Sequence, residues 1–220
     1  MFDAIILMAG QGKRMGLEEN KVLYPIFGIP LYQFSLKAFL AVPECHHVIL
    51  VIRPEDRLLL HHPTDSRIIV IEGGKERQDS VALGVLKCTE DIILVHDAAR
   101  PNIRIDDIKR VYEATFIHKV ALLASPVVDT IKQVEARTVQ KTLSRGTLWA
   151  AQTPQGFNRT QYLECIEKAK KVHFNGSDDV VLFEEFSSIK PMIVEGNRSN
   201  IKVTTVSDLI LIESYLKEGM

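Results

Sequence analysis

The sequence predicts an α/β fold: a mostly parallel, twisted sheet with helices on both faces and a β-hairpin arm projecting from it. Three observations carry that prediction. Short β-branched runs recur at Ala4 to Met8, Val48 to Ile52, Ile68 to Ile71 and Ile92 to Val95. Each is too short for a helix, and near-continuous apolar character suits strands covered on both faces. Between them lie helix-patterned segments at Leu31 to Leu40, Arg77 to Leu86 and Ile105 to Phe116; in the second, Val81 and Val85, and Ala82 and Leu86, repeat at i, i+4. Strands alternating with helices imply βαβ units with right-handed crossovers. After Val120 to Ala124 the rhythm changes: Val127 to Val134 and Thr138 to Leu143 flank Glu135-Ala136-Arg137 with no helical pattern between them. That is the signature of an antiparallel hairpin, the arm of about residues 128–147.

A helix from about Arg159 to Lys171 follows, with Tyr162, Ile166 and Ala169 on one face. A strand is expected around Met192 to Glu195, then a last helix with Leu209, Ile212 and Leu216 in register and Asp208 near its positive end. Without a repeat or a linker-like stretch, residues 1–220 read as one domain carrying an arm.

Composition narrows the function classes. The chain has 220 residues, 46% hydrophobic and 25% charged, with a formal net charge of -1. This is globular composition, and a chain of this size buries roughly 70% of its unfolded surface in one domain. The balanced charge argues against a nucleic-acid partner, while a few focused cations in a cleft still serve a small anion. No apolar stretch reaches the ~18 residues of a membrane span, and the first residues lack the basic region of a signal peptide. Cys45, Cys88 and Cys165 are widely spaced and read as buried thiols in a reducing compartment, so the expectation is a cytoplasmic protein with no membrane partner. Cys45-His46-His47 and His61-His62 are adjacent residues without zinc-site spacing, and no metal is expected there.

The chemistry concentrates in a few segments. The first strand runs into Ala9-Gly10-Gln11-Gly12-Lys13-Arg14-Met15-Gly16, where glycines permit close backbone approach and amide N–H groups can cradle phosphates. A dinucleotide fingerprint would be one residue shorter, without internal cations and with an acid about 20 residues on; a Walker A loop would end in Gly-Lys-Ser/Thr. Lys21 lies within reach of the same phosphates. Glu72-Gly73-Gly74-Lys75-Glu76-Arg77-Gln78-Asp79-Ser80 joins a strand to a helix N-terminus, again a place for an anion. In Val95-His96-Asp97-Ala98-Ala99-Arg100-Pro101 an acid follows an apolar strand, at the sheet edge where open α/β folds bind ligands. Asp97 there can hold Mg²⁺ directly or through water, and Arg100 either pairs with Asp97 or meets a phosphate.

Asp129-Thr130-Ile131-Lys132 opens the arm. Arg145 precedes Leu148-Trp149 and Gln152-Thr153-Pro154-Gln155-Gly156-Phe157, a polar run that reads as a shaped loop. Asn200-Ile201-Lys202-Val203-Thr204 reads as a short strand whose Lys needs an anionic partner. Asp178-Asp179 with Glu184-Glu185 reads as a helix start and a solvated face.

Taken in order, these segments resemble the 2-C-methyl-D-erythritol 4-phosphate cytidylyltransferase family over nearly the whole chain. The motifs are the glycine-rich loop, Gly73-Gly74 through Arg77 to Ser80, Val95 through Pro101, Pro126 through Lys132, Leu148-Trp149 through Gln155, and Gly196 through Thr204. The resemblance implies a Rossmann-like nucleotidyltransferase fold and a homodimer locked by interleaved hairpin arms. It also implies Mg²⁺ or another divalent cation as cofactor and the reaction of CTP with methylerythritol phosphate, giving the CDP-alcohol and pyrophosphate. By the same resemblance Arg14 and Lys21 match transition-state stabilisers, and Arg145 and Lys202 position the sugar-alcohol phosphate. Asp97 matches the acid near the metal. Ala9, Gly10, Gly12, Lys13, Gly74, Ser80 and Ala98 match nucleotide contacts, and Arg100, Asp129, Thr130 and Thr153 fall on the substrate side. Met8 stands where the family usually has Ala, Val22 where Gln is usual, Ser177 where Thr is usual, and Lys75 where an acid is frequent. Met8 is expected to crowd the nucleotide loop or to shift the backbone around it. The rival readings are a ribitol 5-phosphate cytidylyltransferase, an NAD(P)-binding oxidoreductase and a non-catalytic nucleotide-binding regulator.

Overall fold

Near-continuous burial along the β-branched runs builds the molecule from its sheet outward. The computed structural model describes residues 1–10, 20–62 and 64–218. The strands are β1 (Phe2–Leu7), β2 (Pro25–Ile26), β3 (Ile29–Pro30), β4 (Cys45–Ile52), β5 (Ile68–Glu72), β6 (Ile92–Asp97), β7 (Val120–Pro126), β8 (Lys132–Glu135), β9 (Thr138–Thr142), β10 (Trp149–Asn158) and β11 (Met192–Glu195). The helices are α1 (Leu31–Leu40), α2 (Arg77–Val85), α3 (Ile105–His118), α4 (Arg159–Lys171), α5 (Val181–Phe186) and α6 (Val206–Glu218). Among the described residues, seven strands form the central sheet in the order β11-β7-β10-β6-β1-β4-β5. β1 pairs in parallel with β4 and β6, and β4 with β5, while β10 runs antiparallel between β6 and β7.

The period-2 rule assigns each face of the sheet to its own helices. Ala4, Ile6, Val48, Leu50 and Leu94 point to one side, where Tyr32, Leu36 and Phe39 of α1 and Ile108 and Val111 of α3 cover them. Ile5, Ile49, Val51, Ile93 and Val95 point to the other, against Val81 and Val85 of α2, Tyr162 and Ile166 of α4, and Phe183 of α5. A smaller cluster fastens α6, through Leu209, Ile212 and Leu216, onto Leu31 and Val203. Asp208 caps α6, accepting from the N–H groups of Thr204 and Thr205 at 2.7 and 2.8 Å. The three cysteines are buried free thiols, and no helix among the described residues is long and apolar enough to cross a membrane.

The arm is a hairpin of β8 and β9 whose two-residue turn, Ala136-Arg137, takes positive φ at both positions, the geometry that matches strand twist. Its first strand begins at Lys132, so the expected run from Val127 was too long. Two further expectations are corrected. The polar run Gln152 to Phe157 is the interior of β10 and not a loop: Gln152, Thr153 and Gln155 are buried and face partners inside the fold, so the apolar alternation that marks a strand is absent. A register irregularity between Ala151 and Gln155, which includes the cis Thr153–Pro154 peptide, further hides it. Asn200 to Thr204 forms no strand; it is an extended segment that the Val203 N–H ties to Ala99 O at 2.8 Å.

Gly156 on β10 shows how tightly the sheet accepts α3. A Cβ there would overlap Thr115 Oγ1 and come within 2.7 Å of Leu94 Cδ2. Thr115 Oγ1 is itself committed to Val111 O at 2.7 Å. Gly156→Ala is therefore expected to lower stability by about 1–3 kcal/mol through overpacking. The readout is a lower urea midpoint at unchanged m-value.

Candidate active site

At the carboxyl ends of β1, β4, β5 and β6 a cavity of about 790 Å³ opens. β1 is flanked by β4, the next central strand in sequence, on one side and by β6 on the other, so strand order reverses here, the switch point where open sheets bind ligands. Its lining includes Ala9, Gly10, Lys21, Val22, Gly73, Gly74, Lys75, Arg77, Ser80, Asp97 and Lys202. The expectations placed on Gly12, Lys13 and Arg14 lie outside the described residues.

Asp97, the last residue of β6, is the electrostatic centre. Lys202 Nζ donates to its Oδ2 at 2.7 Å, and Arg77 Nη2 stands 3.6 Å from its Oδ1. Burial raises the carboxyl, but Arg77, Lys202 and Arg100 together outweigh it and hold it well below the usual carboxylate range. Arg77 in turn makes a bidentate pair with Asp179, at 2.9 and 2.7 Å. Burial works against its charge, and Asp179 and Asp97 more than offset that, so the guanidinium stays protonated. The expected solvated role of Asp179 is thus overturned: only 2% exposed, it is the buried counter-ion of Arg77. Gln155 fixes this corner, its Oε1 accepting from Asp179 N at 2.9 Å and its Nε2 donating to Asp178 Oδ2 at 3.0 Å. Glu184 and Glu185 are exposed as expected, and Asp178 begins α5 by accepting from Val181 N.

Lys21 begins a 3₁₀ turn, Lys21–Leu23, and its Nζ donates to Val203 O at 2.7 Å, which brings it beside Lys202. Asn20 anchors the turn. Its Nδ2 donates to Met8 O and to Asp56 Oδ2, both at 2.7 Å, and its Oδ1 accepts from Val22 N at 3.3 Å. Asp56 is buried and held by Arg53 at 2.6 and 2.9 Å. Sequence reading passed over Asn20 and Asp56, because the hydrogen bonds that join them run between distant segments. Met8 is 1% exposed and packs in the core cluster that includes α1; the loop it was expected to crowd lies outside the described residues.

On the opposite wall, Ser80 Oγ accepts from Gly74 N and donates to Glu76 O, both at 3.1 Å. Side chains are excluded at Gly74, where a Cβ would overlap that of Asp79, and the backbone itself forms the wall. Ala98 is buried and its N–H bonds Leu7 O at 3.1 Å. Arg100 does not hydrogen-bond Asp97: its Nη1 donates to Asn200 O at 2.9 Å and its Nη2 to Ala151 O at 3.4 Å. Asp129, Thr130 and Arg145 are exposed at the base of the arm and do not line this cavity; Arg145 Nη1 donates to Val128 O at 2.8 Å.

Thr153 sits beneath Asp97. His96 Nε2 faces Arg100 O at 3.1 Å, so Nε2 carries the proton and Nδ1 accepts from Thr153 Oγ1 at 3.0 Å. That leaves the Thr153 oxygen to accept from Asp97 N at 3.0 Å. Burial pushes the fully enclosed His96 down to about 4, despite the pull of Asp97, so it is neutral and both ring nitrogens are engaged.

As for hard cations, Asp97 offers an ionised carboxylate oxygen on the cavity wall, and one or two carboxylates with substrate phosphates are the usual Mg²⁺ environment. The donor chemistry fits.

The chain matches the family model described as 2-C-methyl-D-erythritol 4-phosphate cytidylyltransferase over residues 2–218. A relative of that name from Bacillus mycoides (strain KBAB4) is 41% identical over 223 residues, covering 98% of both chains. Among solved structures, a 4-diphosphocytidyl-2C-methyl-D-erythritol synthase from Anaerococcus prevotii superposes with a TM-score of 0.87 at 30% identity, covering 98% of this chain and 96% of its own. The 2-C-methyl-D-erythritol 4-phosphate cytidylyltransferase of Thermus thermophilus gives 0.83 at 27%, covering 99% and 100%.

The buried His96 predicts a pH signature. An unfolded histidine titrates near 6.5 and the folded one near 4, so the unfolded state takes up the proton first as pH falls. Stability is therefore full above about pH 7 and falls by about 2 kcal/mol between pH 7.5 and 5. His96→Asn should flatten that slope in urea titrations. Asp97, held low, adds its own loss only below the ordinary carboxylate range, which separates the two.

Proposed function

The chain belongs to the 2-C-methyl-D-erythritol 4-phosphate cytidylyltransferase family, and from that membership we propose that it transfers CMP from CTP to methylerythritol phosphate, releasing pyrophosphate. The observation that carries the reading is the cavity in which Lys202 and Arg77 flank Asp97 and Lys21 lines the same wall. An oxygen of the monoester phosphate attacks the α-phosphorus of CTP, and the bond to the β-phosphate oxygen breaks with its electron pair leaving on pyrophosphate. The nucleophile is already anionic at neutral pH, so no general base is needed. The neutral, doubly hydrogen-bonded His96 is consistent with that economy.

The obstacle is charge: two polyanions must meet, and more negative charge gathers on the leaving group. Fixed cations lower that barrier because they are oriented before the substrates arrive. Lys21 and Arg14 are assigned to the triphosphate, and Lys202 to the phosphate of the alcohol. Asp97 would hold Mg²⁺, which when bound neutralises phosphate oxygens. The backbone at Ala9, Gly10 and Gly74 and the hydroxyl of Ser80 frame the nucleotide end of the cavity. The ribitol 5-phosphate alternative is not favoured, since the relatives carry the methylerythritol name.

The arm supports a two-fold homodimer. Val134 and Val139 face each other across the hairpin and remain half exposed, and Val128 at the base of the arm is equally bare. Asp129, Thr130 and Arg145 lie at the arm's base, away from their own cavity, so a second copy's cavity is their assigned destination.

Two outcomes are expected. Lys21→Ala and Arg14→Ala should each lose ~100-fold or more in kcat while keeping a wild-type melting curve, measured as pyrophosphate release with CTP, Mg²⁺ and methylerythritol 4-phosphate. Wild-type turnover in either variant removes that residue from the mechanism. Separately, mixing inactive Lys21→Ala with inactive Arg145→Ala under subunit exchange should restore about a quarter of wild-type activity, the share of intact sites in a randomly reassorted two-fold dimer. No recovery would place Arg145 with its own subunit's cavity.

A further inference from the structure

A second cluster of ionisable side chains lies at the opposite, amino-terminal edge of the sheet. Between Phe2 and Ala4 of β1 the register advances two residues, while β4 advances three, from Cys45 to Val48. β4 therefore carries an extra residue at His46-His47. In a regular strand two successive side chains point to opposite faces; the bulge cancels that alternation. The two imidazoles lie side by side, with ring centroids 3.9 Å apart.

Both turn Nδ1 toward Asp3, at 3.6 Å from His46 and 3.3 Å from His47. Glu90, entering β6, brings Oε1 within 3.1 Å of His46 Nδ1. Asp3 is fully buried and rigidly held: Oδ1 accepts from His47 N at 3.0 Å, and Oδ2 from Thr89 N at 2.5 Å and Glu90 N at 2.9 Å. The imidazole–Asp3 separations exceed the usual N–H···O length, so the rings confront this carboxylate without closing strong hydrogen bonds to it.

The geometry points to a binding site for a zinc-class divalent transition metal, with the two imidazole nitrogens and the Asp3 carboxylate as ligands and Glu90, beside His46, as the carboxylate that would swing in to complete the set. Metal–ligand bonds of ~2.0–2.1 Å in a tetrahedron set neighbouring ligand atoms ~3.3–3.4 Å apart. The two imidazole–Asp3 separations, 3.3 and 3.6 Å, lie at and just above that value. Two carboxylates and two neutral imidazoles would neutralise a dication, which suits a site containing the buried Asp3. Imidazole donors prefer zinc, cobalt or nickel to magnesium, so this site and the hard-oxygen Asp97 would take different metals. Access is open, because the side chains of His46 and Glu90 are 39% and 26% exposed. A bound ion would clip together the starts of β1 and β4 and the turn into β6.

The adjacency that argued against a metal at Cys45-His46-His47 is what the bulge undoes, and the carboxylate ligands come from far along the chain.

The test is equilibrium dialysis of metal-depleted protein against Zn²⁺ in excess Mg²⁺, paired with a Co²⁺ titration read in the visible spectrum. One equivalent of zinc, intense tetrahedral cobalt bands and a zinc-dependent rise in melting temperature of about 5 °C at a hundredfold excess over Kd are expected. His46→Ala, His47→Ala and Glu90→Gln should each weaken zinc at least about tenfold, with unchanged circular dichroism. Asp3 is left intact because it fastens the backbone of Thr89 and Glu90. Wild-type zinc affinity in both His46→Ala and His47→Ala, loss of zinc from His61→Ala instead, or no binding at millimolar Zn²⁺ would each overturn the site.

Discussion

The cavity depends on one buried carboxylate that stays charged. Asp97 ends the central strand β6, and its charge is sustained by two cations supplied from distant parts of the chain. Lys202 arrives on the segment that leads into α6, and Arg77 on the first turn of α2. Remove the carboxylate and two cations would face each other across a cavity meant for anions. Remove either cation and a desolvated charge is left partly unpaired, which is costly in a way a surface pair is not. The chain is thereby tied together at this one point, with strand, helix and tail held in mutual register by charge.

Beneath that point the apolar layers do the positioning. Strict alternation along β1, β4 and β6 places α1 and α3 on one face and α2, α4 and α5 on the other. It follows that the ends of the parallel strands are the place where backbone amides, helix starts and polar side chains can converge. The polar middle of β10 is the necessary complement. Gln152, Thr153 and Gln155 are buried, and each bonds a group at the site's base: Thr153 the Asp97 amide, Gln155 the start of α5, Gln152 the Asn197 carbonyl.

The sequence was a good guide wherever one physical period dominated. The helices α1 and α4 and the strand β11 have the expected limits, and the hairpin stands around Ala136-Arg137. It was a poor guide wherever polar groups are buried to satisfy one another. β10 read as a loop because its polar residues break the alternation, and Asp179 read as solvated because its partner lies 102 positions away. Lys202 was different. A lysine between apolar residues signals a need for an anion, and the anion proved to be Asp97, although the segment is not a strand. Asn20 and Asp56 offered no comparable signal, since an Asn beside a Lys and an acid beside a Pro-led turn are commonplace on surfaces.

The bond from Asn20 Nδ2 to Met8 O has a consequence for what lies between them. It brings the two ends of the glycine-rich stretch to one spot, which Asp56 and β4 hold fixed. Arg14 stands midway in sequence between those anchors. A residue tethered at both ends cannot travel farther than the shorter arm allows, ~3.3–3.6 Å for each intervening residue.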